Sequence, residues 1–137
     1  MPVLESAPDR IPEAPAPELV DAGAALIAAL DAAGAGPDVA FWLWFRDVDD
    51  WRLLLAEGRL LQHGSRIAYG RIRRMLADPD SDLSLEPDLV GVATGEAPAV
   101  AVLRSAISTG PGIHDVRIRD NVLNGVRVRR AYVYRIA

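Results

Sequence analysis

The sequence predicts a single α+β domain in which helices pack on a mixed five-stranded sheet, with elements in the order α-β-β-α-β-α-β-β. Two hairpin patterns, one in the first half of the chain and one at its end, and three segments with helical spacing lead to this prediction. The chain has 137 residues, 50% of them hydrophobic and 25% charged, so it is long enough for one sizeable core.

The domain is expected to span residues 17–137 and to follow a flexible arm at residues 1–16. Proline breaks helices and removes a backbone donor, so a proline-rich segment should form no helix and bury little surface. The prolines of the arm are Pro2, Pro8, Pro12 and Pro15.

The first helix is predicted at about residues 18–33. Pro17 stands at its first turn and Gly34 follows its last turn, an arrangement typical of helix ends. Leu26 and Leu30 supply an apolar face together with alanines at helical spacing.

The first hairpin is predicted at residues 38–57. Residues 39–45 are apolar on both faces, which predicts a strand at the centre of the sheet with a cover on each side. Aspartates within residues 47–50 supply the turn before the strand returns. We expect the three tryptophans of this hairpin to lie in the core, and the alternative is an exposed anchor for a partner protein. These tryptophans are Trp42, Trp44 and Trp51.

The middle of the chain predicts a second helix at residues 65–77, a short third strand at residues 89–93 and a third helix at residues 98–107. The second helix presents Ala68 and Ile72 to the core and carries arginines around its other faces. A Gly-Pro-Gly run after the third helix ends it before the last hairpin begins.

The closing hairpin is predicted at residues 113–137, because two alternating segments flank the pair Asn124-Gly125. Four of its arginines alternate with aliphatic residues and are expected to share one face of the hairpin. Guanidinium groups on such a face could bind phosphate or carboxylate groups, although an ordinary solvated face gives the same pattern. The candidate binding residues are Arg117, Arg119, Arg127 and Arg129.

Two tyrosines of the closing hairpin, Tyr132 and Tyr134, have the spacing of its inward-facing residues. We therefore expect them in the core. The arginines would then have no aromatic partner on which nucleic-acid bases could stack.

The chain contains no cysteine, and all 15 of its basic residues are arginine. This composition excludes a thiolate nucleophile, a Schiff-base lysine and the lysine of a phosphate-binding loop. It is typical of coding bias in a bacterial genome, and the lack of cysteine favours a cytoplasmic location. No apolar run approaches the roughly 20 residues of a membrane-spanning helix, so we expect no membrane contact.

Charge is unevenly distributed along the chain, whose net charge is −4. Residues 1–50 hold ten acidic residues and two arginines, whereas residues 113–137 hold six arginines and two aspartates. Such a gradient favours internal pairing, self-association or a partner surface. A dedicated nucleic-acid binder is usually basic overall, which this chain is not.

No cofactor or metal-binding motif stands out in the sequence. The acidic segments at residues 47–50 and 78–82 lack the glycine and the closing glutamate of a calcium loop. His63 and His114 are not accompanied by a motif that would position a nucleophile and an orienting acid. We therefore lean against an enzyme.

Two pairs of short sequence segments resemble a pattern of small uncharacterised bacterial proteins. The first pair is Thr109–Ile113 followed by Asn121–Gly125, and the second is Phe41–Leu43 with its return Trp51–Leu53. The resemblance spans most of residues 38–137. It implies no named family, no activity and no functional residue.

Three functions are compatible with the sequence. The first is a small non-catalytic accessory or protein-interaction module of a bacterial cytoplasmic system, whose partner is another protein or a second copy in a homo-oligomer. The second is nucleic-acid binding through the arginine face of the closing hairpin. The third is a hydrolase that uses only aspartate, glutamate and histidine.

Overall fold

The computed structural model describes residues 11–137, so most of the predicted arm lies outside the described residues. The order of its elements confirms the predicted α-β-β-α-β-α-β-β arrangement. The helices are α1 (Pro17–Ala32), α2 (Ser65–Ala77) and α3 (Pro98–Ala106). The strands are β1 (Val39–Phe45), β2 (Asp50–Ala56), β3 (Val90–Ala93), β4 (Val116–Leu123) and β5 (Val126–Ile136). Two short 3₁₀ helices, Gly58–Leu61 and Pro87–Leu89, were not predicted.

The five strands form one mixed sheet in the order β3-β2-β1-β5-β4. Strand β3 pairs with β2 in parallel, and every other neighbouring pair is antiparallel. Strand β1 lies at the centre, as its apolar sequence predicts. Phe41 and Trp42 point to opposite sides of β1, and both are fully buried.

The two sides of the sheet carry separate hydrophobic cores. On the first side, helices α1 and α2 cover a core that includes Leu26, Ile72 and Trp42. On the second side, the nine-residue helix α3 contributes Val100 and Leu103 to the other core. The second side therefore has the smaller helical cover.

A bulge in β5 brings two consecutive side chains to the first side of the sheet. Arg135 pairs with Ala40 and Val133 pairs with Phe41, so Tyr134 is an extra residue with no partner in β1. Tyr134 then reaches α1, where its hydroxyl donates to the Val20 carbonyl at 2.6 Å.

The Tyr134 hydroxyl also accepts a hydrogen bond from Trp42 Nε1 at 2.8 Å. The two bonds link β1, β5 and α1 through groups that have little or no access to water. Gly23 of α1 faces this pair, and a Cβ there would collide with the Tyr134 hydroxyl and lie 3.1 Å from Trp42 Nε1. This close approach explains a glycine in the middle of a helix, where glycine otherwise costs stability.

Arg135 is buried and fixes the end of α1 to the sheet. Its guanidinium makes a bidentate pair with Asp31 at 3.0 and 2.7 Å. It also donates to the Pro37 carbonyl at 2.9 Å and to the Gly112 carbonyl at 3.1 Å. Such a group is costly to bury unless it is paired and hydrogen-bonded, and here it is both.

The described end of the predicted arm lies against the first core. Ala14 packs on that core and Pro15 is buried. Among the described residues, no helix is both long enough and apolar enough to cross a membrane.

Replacing Tyr134 with phenylalanine should destabilise the fold by about 1–3 kcal/mol, because the buried Trp42 N–H loses its acceptor. Urea denaturation measures the loss. Tyr69→Phe is the matched control, since the Tyr69 hydroxyl accepts from the Val92 amide at 2.9 Å at an exposed position where water can substitute. Equal losses in the two variants would contradict a special role for Tyr134.

Replacing Asp31 with alanine should cost roughly 3 kcal/mol, because it leaves the Arg135 charge buried without its carboxylate. Asp115→Ala breaks the exposed pair with Arg117 and should cost far less, because solvent screens that pair. Thermal unfolding of both variants compares the two costs. A loss at Asp31 no larger than that at Asp115 would mean that the Arg135 pair does not stabilise the domain.

Candidate functional site

The register of the closing hairpin corrects the expected arrangement of its arginines. Arg119 lies opposite Arg130, and Arg127 lies opposite Val122, so the four candidate arginines do not form two facing pairs. The ladder is interrupted between these pairs at Asp120, whose φ is 41°. In this register Arg117 and Arg119 lie opposite Tyr132 and Arg130, so strand alternation does not place them on one face with Arg127 and Arg129.

Arg117 lies opposite Tyr132 and is already paired. Its guanidinium donates to Asp115 at 3.1 Å and lies 5.6 Å from the centre of the Tyr132 ring. The hydrogen bond that Arg117 donates to Asp115, together with the negative charge of Asp115, raises the pKa of Arg117 above its ordinary value. Arg117 therefore has an aromatic neighbour of its own, but that ring lies in the core and offers no stacking surface to a base.

Tyr132 and Tyr134 are 4% and 1% exposed, which confirms that both belong to the core. Burial raises the pKa of each phenol above its ordinary value, and in Tyr134 the hydrogen bond from Trp42 opposes that effect. Neither ring is open to stacking by a nucleic-acid base.

The tips of the two hairpins separate beyond the middle of the sheet. The β1–β5 ladder ends at the pair Leu43–Ala131. The β1–β2 ladder continues to Phe45–Asp50, and the β4–β5 ladder continues to Leu123–Val126. The two tips therefore extend past the last hydrogen-bonded contact between them.

A groove of about 270 Å³ lies between helix α3 and the separated tips. The walls are mainly apolar and come from β1, α3 and β5. They comprise Leu43, Trp44, Pro98, Ala99, Val102, Leu103, Val126, Arg127, Val128 and Arg129. Val126 remains 45% exposed, so part of the apolar wall faces solvent.

Two of the four candidate arginines, Arg127 and Arg129, line this groove. Arg127 lies 3.7 Å from Asp120, and the two side chains are 62% and 51% exposed, so this pair contributes little stability. Arg129 forms no ion pair with any described residue. Both guanidinium groups can therefore donate hydrogen bonds to a carboxylate from outside the chain at low cost.

Two buried N–H donors lack an acceptor among residues 11–137. They are Trp51 Nε1 and Arg130 Nε. The Trp51 ring packs edge-on against the ring of Trp44, with centroids 5.5 Å apart, and Arg130 follows Arg129 in the strand. Buried donors without an acceptor are uncommon in folded proteins. Trp51 belongs to the core on the first side of the sheet, and neither donor lines the groove beside α3.

The remaining candidate residues lie apart from this groove. His63 and His114 are exposed and make no side-chain hydrogen bond within the described part of the chain. In the acidic segment 78–82, the Asp78 carboxylate accepts the Asp80 amide at 2.9 Å, as in an ordinary turn. No group of three or more histidine, aspartate or glutamate side chains suited to a metal ion occurs within residues 11–137.

Sequence reasoning found the arginines of the groove but missed its apolar walls. Val126 and Val128 read as inward-facing residues of a regular strand, and Trp44 reads as core. One signal was available: the alternating run after Asn124-Gly125 is longer than the apolar run at residues 39–45. A long strand beside a short one leaves unpaired residues that can form a groove.

No protein-family model matches the chain, and comparisons with curated proteins and with solved structures find no similar protein.

Trp44 should account for most of the tryptophan fluorescence that acrylamide can quench, because Trp42 and Trp51 are 0% and 4% exposed. We expect Trp44→Phe to remove most of the quenching in a Stern–Volmer measurement. Trp51→Phe changes the other member of the same ring pair and should leave the quenching in place. Unchanged quenching in Trp44→Phe would mean that Trp44 is not the accessible tryptophan in solution.

Proposed function

We propose that the protein is a non-catalytic interaction module whose groove binds a protein segment with an apolar side chain flanked by acidic residues. One observation carries the proposal: the apolar walls and two weakly paired arginines, Arg127 and Arg129, occur in the same groove. This is the protein-interaction hypothesis that the sequence suggested, with the groove as the proposed binding site.

The apolar part of the groove supports an aliphatic anchor. Its volume of about 270 Å³ suits one or two side chains and is small for a cofactor or a folded domain surface. Burying apolar surface stabilises a complex by about 25 cal/mol per Å² before the cost of association. A single anchor therefore supports a weak, reversible interaction.

The two arginines support acidic neighbours around that anchor. A guanidinium binds a carboxylate through two parallel hydrogen bonds, and charge complementarity speeds association and excludes basic partners. Because Arg127 is largely exposed, its attraction for a carboxylate should decrease as salt is added.

The proposed setting is the bacterial cytoplasm, which the cysteine-free and arginine-rich composition favours. The proposal requires no cofactor and no metal ion. The partner is another protein or a second copy of the chain.

Nucleic-acid binding through the same hairpin has less support. Arg117 is engaged by Asp115, and the rings of Tyr132 and Tyr134 lie in the core. An arginine strip without accessible aromatics would bind nucleic acid through phosphates alone. The net charge of −4 opposes that contact.

A labelled peptide in which a central valine is flanked by aspartates should bind the wild-type protein in fluorescence polarisation at low salt. The double variant Arg127→Glu/Arg129→Glu should weaken binding by about tenfold or more, because two attractive charges become repulsive. A peptide with arginines in place of the aspartates should not bind the wild type.

Arg66→Glu/Arg73→Glu is the matched control, since it makes the same charge change at exposed positions of α2. It should leave peptide binding within about twofold of the wild type. An equal loss of peptide binding in both double variants would mean that the change in net charge, and not the position of the arginines, weakens binding. Tighter binding of a labelled oligonucleotide than of the acidic peptide would instead favour the nucleic-acid alternative.

A further inference from the structure

The turn between β1 and β2 has the chemistry that the groove requires. Val48 stands in this turn with 52% of its surface exposed, which is high for an aliphatic residue. Asp47 and Asp49 flank it directly and form no ion pair with any described residue. Asp50 is engaged by Arg52 at 3.4 Å and by the Trp51 amide at 2.8 Å.

The shape of the turn is set by the chain itself. The Asp49 amide donates to the Arg46 carbonyl at 3.3 Å, and Asp49 has a φ of 53°. Because the turn is tied back to itself at both ends of the Asp-Val-Asp run, less conformational entropy is lost when it binds. Arg46 carries one positive charge beside the two free carboxylates, so the free part of the turn remains acidic.

The turn and the groove are neighbours on the same molecule. Leu43 and Trp44, which line the groove, precede the turn by only a few residues in β1. When a donor surface and an acceptor surface lie side by side, two copies related by a two-fold axis can exchange them in both directions at once. Such an exchange closes into a dimer instead of growing into a filament.

We infer that a second copy of this chain occupies the groove: Val48 of each copy enters the groove of the other, and Asp47 and Asp49 pair with Arg127 and Arg129. The inference rests on the proposed function, because it uses the same groove and names its first occupant. An external partner with a similar acidic segment would compete with the second copy, so dimer and complex would exclude each other.

Charge-swap variants test the pairing by analytical ultracentrifugation at low salt. Arg127→Asp/Arg129→Asp and Asp47→Arg/Asp49→Arg should each raise the dimer dissociation constant by about tenfold or more, because both grooves of a homodimer then face like charges. An equimolar mixture of the two variants should dimerise again, since each groove of the mixed dimer meets a turn of opposite charge. A mixture that remains monomeric while wild type dimerises overturns the pairing.

The apolar anchor is tested with Val48→Ser, which should raise the dissociation constant by about tenfold. Ile67→Ser is the matched control, because Ile67 is 53% exposed on α2, and it should change the constant by less than about twofold. Circular dichroism confirms that each variant is folded. Equal effects at Val48 and Ile67 overturn the assignment of Val48 as the anchor.

The oligomeric state and the peptide assay separate the two proposals. Wild-type protein that stays monomeric at every concentration, yet binds the acidic peptide through Arg127 and Arg129, overturns the dimer and supports the groove as an interaction site. Monomeric protein that binds no peptide overturns both. A dimer that the acidic peptide dissociates supports both, and a dimer that ignores saturating peptide overturns occupation of the groove by the second copy.

Discussion

The single extra residue in β5 is the constraint on which the arrangement of this fold depends. The bulge at Tyr134 sends both Tyr134 and Arg135 to the side of the sheet that α1 covers. In a regular strand these neighbours would point to opposite sides, and one of the two contacts with α1 would be lost. The helix is thus fixed near its start by a hydroxyl and near its end by a guanidinium.

The contact at the end of α1 also resolves an unfavourable feature of the helix. Asp31 lies in the last turn, where the helix dipole disfavours negative charge. The bidentate pair with Arg135 compensates for that position, and the carbonyls of Pro37 and Gly112 complete the environment of the guanidinium. Residues 113–137 contain six arginines, and Arg135 among them therefore has a structural role.

Much of the fold could be predicted from the sequence because its signals are local. Helical spacing gave the bounds of α2 as residues 65–77, and the two-sided apolar run of β1 gave its central place in the sheet. The arrangement of the arginines could not be predicted in the same way. It depends on the register of β4 against β5 and on the interruption at Asp120, and the register of paired strands is a non-local property. The groove escaped prediction for the same reason, since it exists only where β5 passes the end of its pairing with β1.

The charge gradient of the chain takes on a narrower meaning in the folded protein. Arg135 is buried, Arg117 is held by Asp115, and one N–H of Arg130 donates to the Arg129 carbonyl at 2.9 Å. The positive charge of this hairpin left for an outside group is carried by Arg119, Arg127 and Arg129. Of these, Arg127 and Arg129 stand beside apolar walls that the short helix α3 does not cover completely. On the opposite hairpin, the free acidic charge stands around the exposed Val48. The charge gradient of the sequence thus corresponds, in the folded protein, to a small acidic surface and a small basic surface at one end of the sheet. Because these two surfaces lie close together, they favour reciprocal association of two copies over binding to an extended polyanion.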